Sequence, residues 1–342
     1  MPNPALTRAI DALASRRDLT AEQTGEVLGE IMEGQASEVQ IAAFLIALRA
    51  KGETEEELAG LARTMREHAA PVRVDREDLL DTAGTGGGRP TFNVSTTAAL
   101  IAAAAGCTVA KHGNRSATSL SGSADLLEAL GARIDLEPAA VVTCIQDVGF
   151  GFMFAPTHHP ATRYVVPVRK ELAVRTIFNF LGPLTNPAGA NRQLIGVSDP
   201  AYLDTVAGAL RRLGTRRALI VSSADGLDEM STSAPTHVVE VNAEELSRLT
   251  VDAAELGLPR ADPQELAGGT PERNAQTTRA ILDGAPGPPR DLAALNAGAA
   301  IYAAGRADTL EAGVRAAEAA IDSGAGGELL ERFVARTREL AT

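Results

Sequence analysis

The stretch from Leu79 to Ser123, LLDTAGTGGGRPTFNVSTTAALIAAAAGCTVAKHGNRSATSLSGS, constrains the fold more than any other part of the chain. Residues 79–83 form a short apolar run that suits a buried strand. Gly84-Thr85-Gly86-Gly87-Gly88 then permits backbone conformations closed to residues with a side chain, and lets amide N–H groups approach an anion closely. Asn93-Val94-Ser95-Thr96 supplies cap residues ahead of the apolar run 98–105, so the loop opens onto a helix N-terminus. Unpaired N–H groups and the helix dipole favour phosphate there. A second strand, 107–110, leads into Lys111-His112-Gly113-Asn114-Arg115. Two glycine-and-polar loops after consecutive strands fall at the C-terminal strand edge, where open α/β sheets bind ligands. GxGxxG would need a glycine at Arg89, and a P-loop would end in Gly-Lys-Ser/Thr, so neither usual nucleotide fingerprint is present.

The flanking chain supports two architectures in succession. Residues 1–70 read as four helices: 5–15, a second from the capping box Thr20–Gln23 to about Gly34, a third from Ser37 to Gly52, and a fourth capped by Thr54 with Glu57. From residue 79 strands and helices alternate, with strands expected at 79–83, 107–110, 151–154, 193–197, 218–221 and 237–241. Helical patterns cover 124–130, 139–148, 201–213 and 273–282; after a Gly/Pro loop at 284–289 the chain from Asp291 reads as alanine-rich helices, clearest at 310–322 and 328–340. The fold class is therefore α/β: a small all-helical N-terminal domain, then a large domain with a mostly parallel sheet flanked by helices. Pro71 and the charged run 72–78 look like the hinge between domain 1–70 and domain 71–342.

Charge and thiols narrow the function. A net charge of -12 argues against a nucleic-acid partner, whose affinity comes largely from Lys and Arg on phosphates. Local cations and metal ions must then outweigh a repulsive field around any phosphorylated ligand. Cys107 and Cys144 share no metal-ligand spacing and read as buried free thiols in a reducing compartment. With no run of about 18 apolar residues for a membrane span, a cytoplasmic enzyme is expected. Asp228-Glu229 follows the strand at 218–221; at a strand end facing a phosphate loop such a pair suits Mg²⁺, which prefers carboxylate, water and phosphate oxygens.

GTGG, TFNVST, KHGNR and SGSADLLEALG, followed by FGFMFAPTHHPA, PVRKELAVRTIFNFLGPLTNPAGA and GLDEMS, occur in this order in anthranilate phosphoribosyltransferases. The chain resembles that family over nearly its whole length. The resemblance implies the fold shared by nucleoside phosphorylases and this class of phosphoribosyltransferases. It also implies Mg²⁺-dependent transfer of phosphoribose from 5-phosphoribosyl 1-diphosphate (PRPP) to anthranilate, in tryptophan synthesis. By resemblance, Gly84, Thr85, Gly87, Gly88, Thr91, Asn93, Val94, Ser95 and Thr96 contact PRPP from the first loop. From the second loop come Lys111, His112, Gly113, Asn114, Arg115, Ser116, Ala117, Thr118, Ser119 and Ser123. Arg169 matches the arginine that grips the anthranilate carboxylate, Asn114 its amide partner; Gly84, His112 and His159 complete the acceptor site. Asp228 and Glu229 would hold two magnesium ions, with Ser95 as a further ligand. The segment at about 170–190 would join the small domain, whose helices form a homodimer contact in the family.

The expected chemistry needs the diphosphate neutralised, the ribose phosphate anchored and the amine aimed at the anomeric carbon. An aromatic amine is already neutral near pH 7, so no general base or covalent nucleophile is assigned. His158 is expected to be exposed; Arg163, Lys170 and Arg175 are expected to be surface or ion-paired residues. Where the family loop usually reads GTGGD, this chain has Gly88, a loop one residue shorter, and Arg89, which adds a positive charge beside the diphosphate site. Two rival readings are a pyrimidine nucleoside phosphorylase, which favours Lys-x-Ser in the second loop, and a repurposed nucleic-acid-binding paralogue.

Overall fold

The computed structural model describes residues 2–116, 119–243 and 245–341. Ala117 and Thr118, assigned above to the second loop, lie outside the described residues. Four capped helices open the chain: α1 (Pro4–Ala14), α2 (Ala21–Met32), α3 (Glu38–Lys51) and α4 (Glu55–Glu67). The capping boxes read from the sequence form, Thr20 with Gln23 and Thr54 with Glu57. Glu57 does more than cap. It is fully buried, and its carboxylate also accepts from the Leu19 amide and the Lys51 ammonium, each at 2.9 Å. A Cβ at Gly60 would meet the backbone of Ala21, which is why α2 and α4 can cross so closely.

The chain then runs β1 (Leu79–Gly84), α5 (Val94–Ala104), β2 (Thr108–Gly113), α6 (Ser123–Ala129), α7 (Pro138–Val148) and β3 (Phe150–Phe154). Short helices α8 (Ala155–His158), α9 (Val166–Leu172) and α10 (Phe178–Leu184) interrupt the alternation before β4 (Arg192–Gly196). There follow α11 (Leu203–Arg212), β5 (Arg217–Ser223), β6 (Thr236–Asn242) and β7 (Leu246–Val251). Four long helices, α12 (Pro271–Leu282), α13 (Pro288–Ala303), α14 (Leu310–Asp322) and α15 (Ala325–Leu340), finish the chain. Among the described residues no helix is long and apolar enough to cross a membrane.

One sheet carries all seven strands in the order β3-β2-β1-β4-β5-β6-β7. The first five are parallel; β6 and β7 add an antiparallel edge. Strand β7 was not expected from the sequence. Only Val251 is buried, three of its six residues are polar, and Arg248 reaches out to Asp204, so it carries no apolar run to read. The two faces of the sheet belong to different cores. One is packed by α5, α7 and the C-terminal helices. The other joins Ile195, Val197, Ile220 and Val239 to α1–α4, together with Val168, Ile177, Phe180 and Leu184 from the interrupting segment. That segment is thus held between the helical region and the sheet, above the strand ends.

Candidate active site

A cavity of about 810 Å³ opens at the C-terminal ends of β1 and β2. Strand β1 has β2 on one side and β4 on the other, and such a reversal of winding is where open sheets bind ligands. Nearly every residue singled out in the two loops lines this cavity. Among the described residues Thr96 is the exception: it is fully buried on α5, and its hydroxyl has no partner there.

The glycine loop is anchored at both ends. The Thr85 amide donates to the Gly196 carbonyl at 2.9 Å, and the Arg89 amide to the Gly226 carbonyl at 2.8 Å. Between them Gly86 and Gly87 take φ of +67° and +83°, a left-handed backbone that favours glycine. Asn93 occupies the cap position of α5, yet its side chain makes no cap bond. Its amide instead donates to the Ser121 carbonyl at 3.0 Å, and its oxygen accepts from Ser121 and Asn274. The expected cap is therefore a pin between the two loops. It leaves the first amides of α5 to other acceptors.

Asp228 and Glu229 arrive from the loop after β5. Glycines 84, 88 and 196 crowd the pair: a Cβ at Gly88 would run into the Asp228 carboxylate, and one at Gly196 into the Asp228 backbone. Asp228 accepts the Gly86 amide, and burial pushes its carboxyl up. Glu229 accepts the Ser95 amide; burial, with Asp228 beside it, pushes its carboxyl well above the usual range. No group of three or more His, Cys, Asp or Glu that could hold a metal occurs among the described residues. Two hard carboxylates plus the Ser95 hydroxyl nevertheless fit Mg²⁺, which takes its remaining ligands from phosphate and water.

Several expectations change with depth. Lys111 was read as a loop cation, but it lies inside β2 with 1% exposure. Its ammonium donates to the Thr82 carbonyl at 2.5 Å and hydroxyl at 3.1 Å, and burial pulls its pKa down. Beneath it Asp81, which was not singled out, is fully buried, with its carboxyl pushed up by burial. It accepts from the His112 amide at 3.1 Å and the Asn186 side chain at 2.8 Å. Arg115 lines the cavity, but its guanidinium is held by Asp125 at 2.9 Å and Glu128 at 2.5 Å. Arg89 likewise pairs with Asp225 at 3.0 Å, so its extra charge is locally matched. His158 is fully buried, not exposed, with Nδ1 on the Phe154 carbonyl at 3.0 Å. Arg175, expected at the surface or in an ion pair, lines the cavity and bonds neutral groups, the Gly86 carbonyl and the Ser198 hydroxyl.

At the other end of the cavity His112 and His159 stand with ring centroids 5.0 Å apart. His112 Nδ1 lies 3.1 Å from the Gly182 carbonyl, and His159 bonds the Thr185 backbone. A carbonyl only accepts, so Nδ1 of His112 carries the hydrogen and its unpartnered Nε2 offers a lone pair. Burial lowers the two rings to about 3 and about 4, which keeps both neutral. Arg169 stands 5.5 Å from the Phe178 ring, and among the described residues no carboxylate pairs with it. It is a cation with a free fork at the cavity wall.

Family models match nearly the whole chain: "Glycosyl transferase family, helical bundle domain" over residues 7–69 and "Glycosyl transferase family, a/b domain" over residues 76–326. The anthranilate phosphoribosyltransferase of Rubrobacter xylanophilus is 50% identical over 338 residues, 98% of each chain. The crystal structure of the Thermus thermophilus enzyme superposes with a TM-score of 0.92 at 47% identity, covering 96% of this chain and 99% of that one. The Saccharomyces cerevisiae enzyme in complex with PRPP and Mg matches with a TM-score of 0.88 at 28% identity, covering 98% of each chain. The same yeast enzyme has also been solved with 4-fluoroanthranilate, here 26% identical with a TM-score of 0.87 and 98% coverage of each chain.

Proposed function

This chain belongs to the anthranilate phosphoribosyltransferase family, enzymes of the glycosyltransferase type, and from that premise we propose how its own residues act. It transfers phosphoribose from PRPP to anthranilate, giving N-(5-phosphoribosyl)anthranilate and diphosphate. The observation that carries this reading is the convergence of the glycine loop, the buried acid pair and the unpaired Arg169 on one cavity.

The free glycine-loop amides, beside the start of α5 and its dipole, receive the diphosphate, which spares a chain of net charge -12 the need for many lysines. Asp228, Glu229 and the Ser95 hydroxyl hold magnesium, two ions when the diphosphate is bound. The metal, when bound, neutralises charge on the departing diphosphate. The second loop, from Gly113 to Ser123, takes the ribose phosphate through backbone amides and the Ser116 and Ser119 hydroxyls. Arg169 and Asn114 grip the anthranilate carboxylate and so aim the amine. His112 and His159, neutral and with lone pairs free, give the acceptor a polar wall without a competing charge. The amine attacks as the C1–diphosphate bond breaks and loses its proton after attack, so positioning and electrostatics supply most of the rate.

Loss of anthranilate fluorescence on mixing with PRPP and Mg²⁺ is the direct test. Consumption that needs all three components is expected. No consumption, with phosphorolysis of thymidine instead, would move the chain to the nucleoside phosphorylases. We further infer a homodimer through α3, where Val39 is 79% exposed and Ile46, two turns on, is 39% exposed. Sedimentation should give twice the monomer mass, and Val39→Asp should halve it. Buried, unpaired Cys107 and Cys144 fit a reducing compartment such as the cytoplasm.

A further inference from the structure

Arg175 sits between α9 and α10, two residues past Ala173, whose φ of 51° is left-handed. Its backbone and its side chain face different neighbours. The carbonyl accepts from Arg49 of α3 at 2.6 Å. The guanidinium reaches across to the sheet: one nitrogen donates to the Gly86 carbonyl at 2.9 Å, the other to the Ser198 hydroxyl at 2.8 Å. A single residue thus joins the helical region, the glycine loop and the turn after β4.

The Gly86 residue is held from two sides, its amide by the Asp228 carboxylate and its carbonyl by Arg175. A trans peptide is planar, with C=O and the next N–H pointing in opposite directions. Fixing the Gly86 carbonyl on Arg175 therefore fixes the Gly87 N–H away from the guanidinium, and among the described residues that amide has no partner. The packing is direct: a Cβ at Gly87 would stand 2.5 Å from the guanidinium. Ser198 is itself tied to the loop, its amide donating to the Thr85 hydroxyl at 3.3 Å.

We propose that Arg175 is a positioning residue for the donor, holding the Gly86–Gly87 peptide in the orientation that presents the loop amide to the diphosphate. It does so from the same segment that carries Arg169 and Phe178, so the donor loop and the acceptor wall are set by one piece of backbone. The proposal rests on the donor reading above.

The test compares steady-state constants and melting temperatures of the wild type with Arg175→Ala, Arg175→Lys and Ser198→Ala. Arg175→Ala should raise the KM for PRPP roughly tenfold or more, as loss of a hydrogen bond from a charged donor does, with the anthranilate KM within about twofold. Arg175→Lys keeps one charged donor but not the planar fork, so it should recover part of the loss. Ser198→Ala, which frees the guanidinium on one side, should give a smaller rise in the same constant. An unchanged PRPP KM in Arg175→Ala, or equal rises for both substrates, overturns the proposal. If Arg175→Ala does not fold, Ser198→Ala decides alone, and wild-type constants there overturn it. A wild-type enzyme that turns over no PRPP removes the donor reading and this role together; a working wild type beside unaffected variants removes only the role of Arg175.

Discussion

His112 and His159 each give one ring nitrogen to the backbone and keep the other free, and burial lowers them to about 3 and about 4. In the unfolded chain both would protonate near the ordinary value of about 6.5. Below that pH the unfolded state binds more protons than the folded one, so this contribution to stability is lost as pH falls from about 6.5 toward 4. Asp228 and Glu229, whose carboxyls are raised, act in the opposite sense as pH rises above the usual carboxylate range. The histidine part is isolated by difference: melting temperatures from pH 7 to pH 4.5 should fall less steeply for His112→Asn than for the wild type. Equal slopes would contradict the buried neutral ring. Arg169→Ala should raise the KM for anthranilate roughly 10- to 100-fold, the worth of a charge-assisted hydrogen bond, with PRPP little affected. Calorimetry showing the reverse order would move the acceptor site elsewhere. Residue identities around the cavity were legible because motifs name them. Depth was not. Lys111, His158 and Asp81 owe their burial to strands and segments far along the chain, such as Asn186, 105 residues from Asp81.

Helix α13 bears out the alanine-rich helices expected from Asp291, but not its own start. Its alanine-rich run is buried nearly all round, against α5 on one side and α14 on another, and so has little amphipathic pattern to read. It begins at Pro288, inside a Gly/Pro stretch that reads as loop, because proline's missing N–H costs nothing in the first turn. Gly298 and Gly313 let α13 and α14 touch backbone to backbone: a Cβ at Gly298 would stand 2.5 Å from the Val314 amide nitrogen. Gly298→Ala should therefore destabilise by about 1–3 kcal/mol through overpacking. Gly29, inside α2, is the control. Nothing stands within 4 Å of its added Cβ, and Gly29→Ala should stabilise by about 0.5–1 kcal/mol through helix propensity. Melting temperatures moving in opposite directions check both. Capped and amphipathic helices such as α2 and α4 were legible for the same local reasons that stabilise them. The exposed edge strand β7 was not, since only pairing with β6 makes it a strand.

At the scale of the molecule, an acidic protein must hold a polyanionic donor. The arrangement meets this with geometry in place of bulk charge. Loop amides and an acid pair suited to metal meet at the strand ends, while the loop arginines Arg89 and Arg115 are already paired with carboxylates. The place of the site at the C-terminal strand edge was foreshadowed by two polar loops after consecutive strands, whereas the strand order and the reversal at β1 were not. The packing of the segment between β3 and β4 onto α1–α4 was legible only through the family resemblance, because it depends on contacts between distant parts of the chain. A crystal structure with PRPP and Mg²⁺ tests the central claim most directly. The diphosphate should lie on the amides of Gly87 and Gly88, with metal against Asp228 and Glu229. A sugar phosphate seated instead away from these groups, for example among Arg192, Arg216 and Arg306 at the opposite strand ends, would contradict it.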